Sequence, residues 1–250
     1  MITSNPKEIE KLKASGKILA TVLNMVAKKA VAGVSAAELN KLAEDEIAKA
    51  GGKSSFKGYG KPAFPAGLCV SINDEVVHGV PAKEKVLKDG DIVGLDLGVD
   101  YQGFFTDMAI TVPVGKVDNE GQKLIDATKE SLAAGLNQVK AGQFTGDIGH
   151  AMDSVAKKYK FQSVRDLVGH GVGKAVHESP EVPGFGKPKT GTKLVAGMVL
   201  AIEPMVNAGS FEIKFMPDKW TVKTEDGSRS AHMEHTIMVT EKGFDLITQA

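Results

Sequence analysis

Two ten-residue stretches share one layout and set the architecture. Leu87-Lys88-Asp89-Gly90-Asp91-Ile92-Val93-Gly94-Leu95-Asp96 and Leu194-Val195-Ala196-Gly197-Met198-Val199-Leu200-Ala201-Ile202-Glu203 each run from a glycine through an apolar strand to a carboxylate. Each also follows a pair of helices. Asn5 and Pro6 suit a helix cap and first turn, Glu8 completes a capping box, and Ile9, Leu12, Leu19, Val22 and Val26 recur at helical spacing to about Ala30. Ser35 and Glu38 form a second box ahead of Leu39, Leu42, Ala43 and Ile47, and Gly51-Gly52 ends that helix. Leu124, Ile125, Thr128, Leu132, Leu136 and Val139 then make a third helix, and Thr145 caps a fourth containing Ile148, Met152 and Val155. The unit recurs at roughly 110 residues, cap to cap. The pattern predicts a single α+β domain over residues 1–250, with two related αα-plus-sheet halves near 5–112 and 119–240 and a site where the sheets meet.

The carboxylates at the strand ends are the chemical signal. Ile92, Leu95, Leu97 and Val99 bury the strand around Asp96, and a bare carboxylate is costly in such surroundings. Val99-Asp100-Tyr101-Gln102-Gly103 reads as a hairpin turn. Centred between Tyr101 and Gln102, it sets Asp96 opposite Asp107, where two unneutralised acids would repel and a bound cation would reverse the sign. A hydrated hairpin edge is the alternative for that pair alone. Glu203 ends an apolar strand at Pro204, and Glu234 lies between Met233 and His235, so neither belongs to a solvated charge run. His170 stands in Val168-Gly169-His170-Gly171-Val172-Gly173, where glycines allow close backbone approach and leave the imidazole as the sole functional side chain. Asp96, Asp107, His170, Glu203 and Glu234 form an oxygen-rich set suited to two divalent ions such as Co, Mn, Fe(II) or Zn. His150, on the fourth helix, reads as structural. His232 either shares the strand face of Glu234 or lies on the surface.

Composition narrows the alternatives. Lys plus Arg and Asp plus Glu both number 31, which removes the electrostatic case for a DNA-binding or anionic-membrane protein. No apolar run is long enough to cross a bilayer and no signal-peptide pattern opens the chain, so a cytoplasmic location is expected. Cys69 is the only cysteine, which excludes an internal disulfide and a thiolate-rich zinc site, and on its own it reads as a small buried apolar residue.

The order Asp96, Asp107, His170 in Gly-His-Gly-x-Gly, Glu203 in Glu-Pro-Met and Glu234 in Glu-His-Thr resembles methionine aminopeptidase, the short type. So do Ser71-Ile72-Asn73-Asp74-Glu75-Val76-Val77-His78-Gly79 and Lys219-Trp220-Thr221-Val222-Lys223-Thr224, and the likeness covers nearly the whole chain. The resemblance implies a pita-bread (creatinase/aminopeptidase-like) fold with a central dinuclear metal site. It implies that Asp107 and Glu234 bridge two metals, Asp96 completes one site, and His170 with Glu203 completes the other. A metal-bridging hydroxide would attack, Glu203 would carry its proton, His177 would stabilise the oxyanion and His78 would contact the scissile amide. Tyr59, Phe64, Cys69 and Trp220 would wall a cup for the methionine thioether. Two departures sit in that cup: residues 58–65 run longer than is usual, and Val176 stands where an aromatic residue is commoner.

The function so implied is removal of the initiator methionine from nascent chains, with a small second residue preferred. A monomer is the default state, and ribosome docking has no dense basic run to support it. Two alternatives remain at this level. A proline-directed relative would use the same metals but normally carries a large N-terminal domain. A binding protein of the same fold that had lost catalysis would be expected to lack ligands, and all five are present.

Overall fold

In the computed structural model, which describes residues 1–250, helix α1 (Pro6–Lys29) starts where Asn5 and Pro6 predict it. The Asn5 side chain accepts from the Lys7 N–H, and proline fills a position whose own N–H would lack an intrahelical partner. The predicted reach of Glu8 back to the cap is relayed. Thr3 takes the Asn5 N–H on its hydroxyl and donates to Glu8, whose other oxygen meets Lys174. At α2 (Ala36–Lys49) the box between Ser35 and Glu38 is complete. Asp118 caps α3 (Asn119–Leu136). α4 (Thr145–Lys158) is capped by Phe144 rather than Thr145, because Asp147 accepts the Phe144 N–H and the Thr145 hydroxyl instead accepts from Thr192.

Each helix pair covers one sheet. Strand Ile92–Tyr101 lies between Phe104–Pro113 on one edge and Leu68–Ile72 with Lys53–Ser54 on the other. Its counterpart, Val199–Ile202, lies between Val168–Gly171 and His235–Val239, with Glu178–Pro183 and Phe244–Leu246 outside them. Leu19, Leu23 and Leu39 pack on Leu95 and Leu97 in a core of 19 buried residues, and Leu124, Ile148 and Met152 pack with Leu200 and Ile237 in one of 20. Two cores of nearly equal size fit the duplicated layout. Each fully buried leucine contributes about 1.5–3 kcal/mol.

The hairpin register differs from the expected one. The last pair is Tyr101 with Phe104, so the turn is centred on Gln102 and Gly103. Both have left-handed backbone, φ 54° and 79°, as a two-residue type I′ turn requires. Asp96 therefore pairs with Ala109, and Asp107 with Gly98. An offset of two keeps both carboxylates on one sheet face, as diagonal neighbours rather than opposed ones.

The halves join along a seam between Phe104–Pro113 and residues 232–236. The Glu234 N–H donates to the Ala109 carbonyl at 2.8 Å. On either side of that bond a threonine hydroxyl stands in for a backbone group. Thr236 Oγ1 accepts from the Asp107 N–H at 2.9 Å and donates to the Asp107 carbonyl at 2.8 Å. Thr111 Oγ1 does the same with His232, at 2.9 and 2.8 Å. Alternate residues are thereby locked across the seam, and Asp107 and Glu234 are among them.

Candidate metal centre

Five elements deliver the acidic and imidazole groups to one place. Asp96 and Asp107 project from the first hairpin, His170 from Val168–Gly171, Glu203 from the end of Val199–Ile202, and Glu234 from the seam. All five are buried and line one cavity of about 290 Å³. Donor atoms of Asp107, His170 and Glu234 lie within 4.8 Å of one another, as do those of Glu203, His232 and Glu234. Glu234 belongs to both groups. Asp96 belongs to neither but faces the same cavity.

The local backbone explains the approach. A side chain at Gly169 would place its Cβ 2.6 Å from the Ala201 carbonyl oxygen and 3.3 Å from Glu203 Cγ, so only glycine lets His170 and Glu203 lie on adjacent strands this closely. His170 Nδ1 lies 2.9 Å from the Gly171 carbonyl oxygen, which fixes the proton on Nδ1 and leaves Nε2 as a lone-pair donor 3.5 Å from Glu203 Oε1.

Charge in the cavity is unbalanced. Asp96 Oδ1 and Glu234 Oε1 are buried with no hydrogen-bond partner. Burial, then the neighbouring carboxylates, push Asp107 and Glu234 well above the usual carboxylate range, and burial raises Asp96 to about 7. Glu203 goes the other way. Burial pushes it up, but the His232 hydrogen bond and the nearby imidazoles outweigh burial and hold it below its ordinary value. Orphaned oxygens among mutually repelling carboxylates, with one free imidazole lone pair, are what a pair of divalent cations would satisfy.

The remaining predicted residues surround this cluster. His78, at the end of the Glu75–Val77 segment, has left-handed backbone (φ 55°), a conformation that non-glycine residues hold only where surroundings impose it. The His177 ring packs edge-on against His170 with centroids 4.4 Å apart, and its Nδ1 is 2.7 Å from the Tyr59 hydroxyl. Phe64 and Trp220 meet edge to face at 5.2 Å, and Tyr59, Phe64, Cys69 and Trp220 all line the cavity. Val176 is buried beside Phe64 and Cys69. His150 is exposed on α4, away from the site.

The description metallopeptidase family M24 matches residues 10–241. The chain belongs to that family. Within it, the chain is 46% identical to the methionine aminopeptidase of Clostridium acetobutylicum, over 99% of this chain and 98% of that one. It is 45% identical to methionine aminopeptidase 1 of Bacillus subtilis, over 100% and 99%. The methionine aminopeptidase structure from Thermotoga maritima superposes with a TM-score of 0.97 at 44% identity, covering 100% of each chain. The Xaa-Pro dipeptidase of Bacillus anthracis, at 24% identity, a TM-score of 0.79 and 62% coverage of that chain, shares the pita-bread fold. Membership accounts for the acidic cluster: M24 enzymes are metallopeptidases, and the donors gathered here suit divalent ions.

Several wall residues of this M24 cavity carry little mark in the sequence, His232 and Phe56 among them. His232 is buried and bonded to Glu203 at 3.1 Å, so the surface alternative is wrong. Its only sequence signal was the two-residue spacing from Glu234. Phe56 also lines the cavity, and nothing in its flanking residues marks it.

Proposed function

We infer that the chain is a metal-dependent aminopeptidase that removes the initiator methionine from nascent proteins, preferring a small second residue. One observation carries this reading: buried, unneutralised carboxylates and an apolar cup share a single cavity. Asp96, Asp107, His170, Glu203 and Glu234 would hold two divalent ions of the Co, Mn, Fe(II) or Zn class, with Asp107 and Glu234 as the ligands common to both. Bound there, such ions supply Lewis acidity towards a water and a peptide carbonyl, as is usual in two-metal aminopeptidases.

The chain's own groups do the rest. Glu203 takes a proton from the attacking water and returns it to the amine nitrogen as the carbon–nitrogen bond breaks. His177 donates a hydrogen bond to the carbonyl oxygen as it gains charge, and His78 hydrogen-bonds the scissile amide. Burial lowers both imidazoles to about 4, so at neutral pH they are uncharged donors that do not repel a cation. The Tyr59 hydroxyl on His177 Nδ1 leaves the other ring nitrogen for substrate. Tyr59, Phe64, Cys69 and Trp220 form a wall suited to a flexible thioether.

No helix is long and apolar enough to cross a membrane. We place the enzyme in the cytoplasm, as a monomer acting on emerging N-termini. Residues 1–250 form one catalytic unit whose halves span about 5–112 and 119–240, and no dense basic run argues for docking on the ribosome.

The test is a Met-Ala-Ser peptide assayed beside an Xaa-Pro peptide. Methionine release should stop on chelation and return with Mn, Co or Fe(II), while the Xaa-Pro bond stays intact. Folded, metal-supplied protein that releases no methionine would overturn the reading.

A further inference from the structure

The cavity holds an imidazole that the mechanism above does not use. His232 is 4% exposed, and its Nε2 lies 3.1 Å from Glu203 Oε2. We propose that His232 is a positioning residue that aims Glu203, its Nε2–H holding Oε2 so that Oε1 faces the attacking water. The inference rests on the reading of Glu203 as the group that carries the water's proton.

Two features make His232 a fixed donor. Its backbone N–H and carbonyl are both held by the Thr111 hydroxyl, at 2.9 and 2.8 Å, across the seam. Its strand, Ser230–His232, pairs with Met205–Asn207 in a register that sets His232 opposite Met205. Glu203 lies two residues before Met205, which brings its carboxylate within reach of the ring as a diagonal neighbour. The acceptor needs such a partner. Glutamate has two rotatable bonds beyond Cβ, and Glu203 stands at a strand end followed by Pro204, where no backbone N–H anchors its carboxylate. Oε1 then sits on the His170 side, 3.5 Å from Nε2, among the cluster of donor atoms.

His232 also lies within the 4.8 Å group with Glu203 and Glu234, which makes a third metal ligand the rival role. The two roles exclude each other at Nε2. A nitrogen that donates its proton to Glu203 has no lone pair left for a cation.

The experiment uses metal-loaded enzyme and compares His232→Leu, His232→Asn and His232→Gln with Glu203→Gln as reference. Leucine removes the donor, and asparagine keeps polarity but falls short. Both should retain two metals per chain by elemental analysis and KM within about threefold, while kcat falls roughly 10- to 100-fold. Glutamine, whose amide N–H reaches as far, should recover most of kcat. His232→Leu or His232→Asn with unchanged kcat would overturn the proposal. So would loss of one metal in either, or a His232→Gln as slow as the other two. Glu203→Gln separates the layers. If it turns over normally, the role of Glu203 itself is wrong; if it is inactive while His232→Leu is not, only the positioning role fails.

Discussion

At the scale of single residues, the cavity is a concentration of unsatisfied charge held in place by rigid neighbours. Asp96 Oδ1 and Glu234 Oε1 have no partner, and Glu234 is shared by both groups of donor atoms. On the proposed role of Glu234, its removal takes one ligand from both ions at once. For Glu234→Ala we expect metal content below two per chain and methionine release down by more than roughly 100-fold, because losing a ligand exceeds the usual cost of losing a second-layer contact. Elemental analysis beside the peptide assay checks both numbers. Intact turnover would mean that the ions sit elsewhere. The variant also lacks a carboxyl that burial and Asp107 push well above its ordinary range, so it should fold at least as well as the parent without metal.

At the scale of elements, the seam decides whether the two hairpin carboxylates meet the second half. Thr236 closes one end by taking the Asp107 N–H and donating to the Asp107 carbonyl. Thr236→Val keeps the shape and removes both bonds, leaving two buried backbone groups unpaired. The expected cost is about 1–3 kcal/mol in urea unfolding of the metal-free protein, together with weaker metal binding. A variant within about 0.5 kcal/mol of the parent would show that the seam holds without this hydroxyl. The type I′ turn matters in the same way. Left-handed Gln102 and Gly103 set the register two residues from the one the flanking pattern suggests, and that offset makes Asp96 and Asp107 diagonal rather than opposed.

For the whole molecule, the metal-free site makes stability depend on pH in an unusual direction. Asp96, raised to about 7, and Asp107 and Glu234, raised well above the usual carboxylate range by burial, bind more protons folded than unfolded. Their contribution is full below the unfolded carboxylate value near 4 and is lost as pH rises through the folded values. His78 and His177, lowered to about 4, act oppositely: their contribution is present above about 6.5 and is lost as pH falls through about 4. Above pH 6.5 only the carboxylate effect remains, and His232, which burial lowers but the Glu203 hydrogen bond and nearby acids raise on balance, adds to it with the same sign. Chelated protein should therefore melt at a lower temperature at pH 8 than at pH 6.5. Metal-loaded protein should not, because cations bind the ionised carboxylates and stabilise more as pH rises. Melting curves with and without Mn at the two pH values check this, and a chelated protein with equal melting points would contradict it.

Much of this protein is written in local pattern. Capping residues, helical spacing and paired glycine-to-carboxylate strands specify the two halves, since those signals act over a few residues of backbone. Burial of charge in apolar strands likewise marks Asp96 and Glu203 as needing a cation before any fold is known. Other features belong to the assembled chain. Hairpin register follows from a turn whose left-handed residues no periodicity reveals, and the pairing of Thr236 with Asp107 joins positions far apart in sequence. His232 shows the limit most plainly: whether its ring meets Glu203 or solvent depends on how the strand Ser230–His232 lies against Met205–Asn207. Local signals were enough to place the helices and strands and to single out candidate side chains for the chemistry, because propensity and desolvation are local costs. Which of those side chains meet emerges only once the chain is folded, because contact between distant strands depends on register and seam geometry.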